Sequence, residues 1–154
     1  MEARYTPRKV PLDALIKILL EEHSVMKEGL LRMKDATERK DFKELSQTLK
    51  QLDPVFRQHI ADEEAQILRL LVAQLGRKGA EAEIKVFQQH RPIYDLMRTI
   101  AELAPKGADD LEAEQAKLAE LFEDHTSAEE QRVFPRALGL TTADSGGAPR
   151  GATS

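Results

Sequence analysis

The sequence predicts an all-α fold: an antiparallel up-down four-helix bundle with an internal two-helix pseudo-repeat. Three observations carry this. The 154 residues are dominated by Glu, Lys, Leu, Ala, Gln and Arg, all good helix formers, whereas β-branched residues are sparse and scattered. Apolar residues recur every three to four positions through four long stretches, the period of a helix with one buried face. Short polar or Gly- and Pro-containing links separate those stretches, as an up-down bundle requires.

Residues 1–11 read as an extended arm, because Pro7 and Pro11 discourage helix before Leu12. The bundle is expected over 12–140. Its first helix runs from Leu12 to about Ala36, with Ile16, Leu19, Leu20, His23, Met26, Leu30 and Met33 on one broad stripe. The polar run Asp35 to Asp41 makes the turn. The second helix, Phe42 to about Leu75, carries Leu45, Leu49, Leu52, Phe56, His59, Glu63, Ile67 and Leu70, and is expected to kink at Pro54 without breaking. Gly76 and Gly79 supply a C-cap and a turn. The third helix, about Ala80 to Ala104, passes through Ile84, Phe87, His90, Tyr94, Met97 and Ile100, with a kink expected at Pro92. Pro105-Lys106-Gly107 ends it. The fourth, about Asp109 to Leu138, opens on acidic residues suited to a helix N-terminus, and Pro135 marks its last turns. Residues 141–154 read as a flexible polar tail.

Composition removes several classes of function. The chain has no cysteine, which rules out disulfides, thiolate metal sites and cysteine nucleophiles. A formal net charge of −4 argues against a general nucleic-acid binder. No apolar run approaches the roughly 18 to 20 residues of a membrane span, and residues 1–11 lack the apolar centre of a secretory signal. A cytoplasmic protein with no membrane and no nucleic-acid partner is therefore expected. Glycine-rich phosphate loops and nucleophile triads are missing too: Gly76-Arg77-Lys78-Gly79 is a plain turn.

The chemistry lies in the four histidines. His59-Ile-Ala-Asp-Glu63-Glu64 returns as His125-Thr-Ser-Ala-Glu129-Glu130. Positions i and i+4 share a helix face, so His59 points with Glu63, and His125 with Glu129, into apolar stripes. A lone histidine there would be an ordinary hydrogen-bonded core residue, and a Glu-Glu pair a solvated surface. Neither accounts for all four histidines occupying equivalent slots. The His23-to-His59 and His90-to-His125 spacings differ by a single residue, Glu21-Glu22-His23 matches Gln88-Gln89-His90, and Ile67-Leu68 matches Val133-Phe134. Such a duplication relates the helix pairs by a pseudo-twofold axis. One histidine per helix would meet at a similar depth, with Glu63 and Glu129 facing across the centre. Buried carboxylates beside imidazoles are costly unless their charge is compensated. A metal ion compensates it, taking ionised carboxylates and neutral imidazoles as ligands. Mixed nitrogen and oxygen donors suit Fe, Mn and Zn.

On Glu22-His23, His59-x-x-x-Glu63-Glu64, His90 and His125-x-x-x-Glu129-Glu130 followed by Val133-Phe134-Pro135, the chain resembles the hemerythrin-like, or HHE cation-binding, family, from Pro11 to about Leu140. The resemblance implies a bundle holding two iron ions, an oxo- or hydroxo-bridged di-iron centre. His23 and His59 would ligate one iron, His90 and His125 the other, with Glu63 and Glu129 bridging. Glu130 could replace Glu129, and Glu64 less readily Glu63; either would otherwise support the ligands. Oxygen carriers of the family have a fifth histidine one turn after the third-helix histidine, where this chain has Tyr94. Tyr94 would ligate as phenolate, hydrogen-bond to a water ligand, or pack, the last two ranking first.

The function expected from this resemblance is to bind or sense O2 or NO, or to take part in iron handling, with a small diatomic or peroxide as the partner. Two other readings stand beside it. One is a di-iron enzyme that decomposes peroxide or reduces NO. The other is a helical interaction module whose metal is structural.

Overall fold

The computed structural model describes residues 5–146, with side chains to Thr141. The outer parts of the expected arm and tail, residues 1–4 and 147–154, lie outside the described residues. Four helical rods make the bundle. The first is α1 (Leu12–Glu38). The second comprises α2 (Phe42–Asp62), a π-helical segment Glu63–Leu68 and α3 (Arg69–Gly79). The third comprises α4 (Glu81–Gln88) and α5 (His90–Leu103), closed by a short 3-10 turn. The fourth comprises α6 (Leu111–Ala128), a second π-helical segment Glu129–Val133 and α7 (Phe134–Gly146). No described helix is long and apolar enough to cross a membrane.

Local chemistry sets the ends of these rods. Lys40 takes a left-handed turn (φ 59°), and the Asp41 carboxylate accepts the Glu44 N–H, capping α2. Pro54 stays inside one continuous helix. Gly76, at φ 73°, leaves helical geometry and turns the chain towards α4.

Two expectations need correction. The third rod is interrupted at Gln89 instead of merely kinking, because Pro92 offers no N–H to the Gln88 carbonyl and its ring crowds it. The fourth rod also runs past the expected end of the bundle at residue 140 to Gly146. Its tail residues 141–145 contain no glycine or proline, and Thr141 Oγ1 donates back to the Ala137 carbonyl. Pro135 accordingly sits near the start of α7, just after the π-helical segment.

The apolar core is divided in two. One block gathers Met26, Met33, Leu45, Leu49, Leu52, Phe56, Ile93, Met97, Ile100, Leu118 and Phe122. The other gathers Leu15, Leu19, Ile67, Leu71, Val86, Phe87, Val133 and Phe134. Each rod passes from one block to the other through polar residues: His23 on the first, His59 and Glu63 on the second, His90 on the third, His125 and Glu129 on the fourth. Gly29 lets α1 and α2 approach closely, since a Cβ there would meet the Leu52 side chain at 2.5 Å.

Candidate metal centre

Six side chains form the layer between the blocks. His23, His59, His90, His125, Glu63 and Glu129 are all buried. The four imidazoles present Nε2 towards the two carboxylates. His59 Nε2 lies 3.0 Å from Glu63 Oε2, and His125 Nε2 lies 3.0 Å from Glu129 Oε2, each across one helical turn. Between rods, His90 Nε2 lies 2.8 Å from Glu63 Oε1, and His23 Nε2 lies 2.9 Å from Glu129 Oε1. His59 and His90 each approach Glu129 again at 3.8 Å.

The outward nitrogens are fixed by a ring of partners. His23 Nδ1 donates to Glu130 Oε2 at 2.8 Å, and His90 Nδ1 to Glu64 Oε2 at 3.2 Å. His59 Nδ1 donates to Glu22 Oε1 at 2.9 Å, and His125 Nδ1 to Gln89 Oε1 at 3.0 Å. With Nδ1–H engaged outward, an imidazole that gives up its inner proton turns the lone pair of Nε2 inward, the tautomer a metal requires. Aromatic rings hold the imidazole planes. Phe134 stacks on His23 and Phe87 on His90, while Phe122 and Phe56 meet the same two rings edge-on.

Charge is matched within this layer. Burial pushes the Glu129 carboxyl up, but His125, His23, His59 and His90 outweigh it and hold the group well below the usual carboxylate range. Burial pulls His59 down, yet Glu63, Glu129 and Glu22 raise it well above the ordinary imidazole value. His90 is raised likewise, against burial, by Glu129, Glu63 and Glu64.

The residues fit a metal. Four inward atoms, His59 Nε2, His125 Nε2, Glu63 Oε2 and Glu129 Oε2, make no hydrogen bond among the described residues, although each is buried within 3.0 Å of a complementary atom. Two donors each about 2.1 Å from one ion, at right angles, stand about 3.0 Å apart, and trans donors about 4.2 Å. The observed 2.8 to 3.8 Å separations lie in that range. The ligand atoms sort into two groups, His23, His59, Glu63 and Glu129, and Glu63, His90, His125 and Glu129, with all atoms of each group within 4.8 Å of one another. Both carboxylates belong to both groups.

The three further candidates stand apart. Glu64 and Glu130 are the Nδ1 partners of His90 and His23. The Tyr94 hydroxyl accepts from Arg57 Nη2, and the Arg57 guanidinium lies 4.8 Å over its ring. Sequence reasoning missed Glu22 and Gln89 as the outer partners of His59 and His125. It also missed Arg8, which donates from Nη2 to Glu22 Oε2 (2.8 Å) and from Nε to Asp62 Oδ2 (2.6 Å). The signal for Glu22 and Gln89 was present: each immediately precedes a histidine, at matching points of the repeat.

Searches among curated proteins and among solved structures found no match. Residues 14–137 match the family model of the hemerythrin HHE cation-binding domain. This match spans nearly the whole bundle, its buried layer offers metal-binding donors, and the chain belongs to the hemerythrin HHE cation-binding family.

Proposed function

We propose that the chain is a non-haem di-iron protein that reversibly binds a small diatomic ligand, O2 or NO. The observation carrying this reading is the pair of overlapping groups that share Glu63 and Glu129. His23 and His59 would hold one ion, His90 and His125 the other, with the two carboxylates spanning both. Each ion then has four donors from the protein, and iron, which commonly takes about six, keeps positions open to small ligands. When bound, the iron pair supplies redox-active coordination of such a ligand.

The chain's own residues favour a small, uncharged ligand. A narrow apolar gap of about 10 Å³, lined by Met26, Leu30, Phe56, Ile93, Met97 and Phe122 among others, reaches the two phenyl rings that touch His90 and His23. Leu30, Met33 and Phe122 also line a larger groove of about 670 Å³ between α1 and α6. Leu30, Met33 and Phe122 thus border both spaces, and the apolar lining next to the rings that pack on the imidazoles favours a diatomic molecule over a charged substrate, which would lose its hydration there.

The test is to load the full chain with ferrous iron without oxygen, measure metal per chain, and record optical spectra with and without NO or azide. Two irons per chain and a ligand-dependent spectrum that reverts on ligand removal are expected. A single iron, or a spectrum indifferent to both ligands, overturns the reading. Sustained peroxide or NO turnover would instead favour the enzyme.

A further inference from the structure

Resting on that two-ion reading, we propose that the two positions are unequal, and that Arg8 and Glu22 make the His23/His59 position the tighter one. The pseudo-repeat supplies the comparison. Glu130 on His23 corresponds to Glu64 on His90, carboxylate for carboxylate. Glu22 on His59 corresponds to Gln89 on His125, and here a carboxylate faces an amide. A carboxylate accepting Nδ1–H makes the imidazole more basic and Nε2 a better donor, which a neutral amide oxygen does more weakly. The remaining difference points the same way, since the Glu130 contact is 2.8 Å and its Glu64 counterpart 3.2 Å.

The N-terminal arm holds Glu22 in place. Arg8 binds Glu22 with one nitrogen while its Nε and its backbone N–H both donate to the buried Asp62 carboxylate. The arm's backbone is fastened on either side, with Gln58 Nε2 donating to the Thr6 carbonyl and Gln66 Nε2 to the Val10 carbonyl. The Arg8 charge draws some electron density from Glu22, but Arg8 acts one group further from the ring than the 2.9 Å carboxylate contact. Its main effect is to keep a partly exposed carboxylate aimed at His59. Arg8 and Glu22 are thus positioning residues for one ion. Among the described residues the second half has no such strap: its third rod opens directly from the Gly76–Ala80 turn.

The experiment titrates the metal-free full chain with Co(II), following its visible absorption against a competing chelator. Wild type is expected to bind two ions in two steps. Glu22→Gln, which keeps the shape of the side chain, should weaken the tighter step by about 10- to 100-fold and leave the weaker one within about twofold. Arg8→Ala should act on the same step in the same direction. Gln89→Glu should strengthen the weaker step. Far-ultraviolet circular dichroism of each metal-free variant checks that the bundle is intact. Equal weakening of both steps by Glu22→Gln, or no effect on either, overturns the proposal while leaving the two-ion reading standing. One Co(II) per wild-type chain overturns both.

Discussion

Tyr94 stands one turn after His90, where the oxygen carriers that the chain resembles have a fifth histidine. Its hydroxyl is taken up by Arg57, whose guanidinium also covers the ring. Tyr94→Phe is therefore expected to leave metal content and optical spectrum unchanged while costing about 1 kcal/mol of stability from the lost hydrogen bond. Denaturant unfolding and a spectrum of the iron-loaded variant check this, and an altered spectrum would put the phenol at the centre. The six inward residues could be read from the sequence because His59–Glu63 and His125–Glu129 sit inside apolar stripes, and His23 and His90 hold equivalent places on the stripes of the other two rods. Their outer partners were harder to read. Glu22 and Gln89 serve histidines on neighbouring rods, and spacing along one helix does not reveal which rod a polar side chain will face.

At the scale of the helix, each paired carboxylate opens a π-helical segment, at Glu63 and at Glu129. Such segments are rare and recur at functional sites. No residue pattern announces them, because the widened turn depends on which carbonyl each N–H finds. The interruption before His90 was half legible: Pro92 marks the place, but whether the rod bends or breaks depends on what packs around Gln88. Termini follow simpler rules. Asp41→Ala removes the cap of α2 far from the centre and should cost about 1 kcal/mol without changing metal stoichiometry. Thermal melts and metal analysis of the same sample test both halves of that statement. The continuation of α7 to Gly146 shows the limit of composition, since a polar Thr-rich stretch stays helical where no glycine or proline stops it.

For the whole molecule, protons and metal compete for one layer. His59 and His90 are raised in the folded chain, so their contribution to the stability of the metal-free protein is complete below the ordinary imidazole value of about 6.5 and is lost as pH rises through the raised values. Glu129 is depressed, so its contribution is present above the ordinary value of about 4.3 and is lost as pH falls through the depressed one. These are two views of the same imidazolium–carboxylate contacts. Metal requires neutral imidazoles, so loading should release protons near neutral pH and grow stronger as pH rises. A pH-indicator dye in weak buffer, mixed with metal-free protein and Zn(II), checks this. Metal uptake with no proton release would mean that His59 and His90 are already neutral.

The split core has an electrical consequence. Two hydrocarbon blocks enclose a polar disc about one helical turn, or about 5 Å, thick. In such a low-dielectric sandwich, a change of charge at an ion held in the proposed centre would be felt strongly by the other groups of the layer and poorly screened above and below. The field escapes mainly at the rim, where Glu64 and Glu130 are 49% and 37% exposed. Of the carboxylates that touch the inner histidines, these two are the most open to dissolved salt, ahead of Glu22 at 15%.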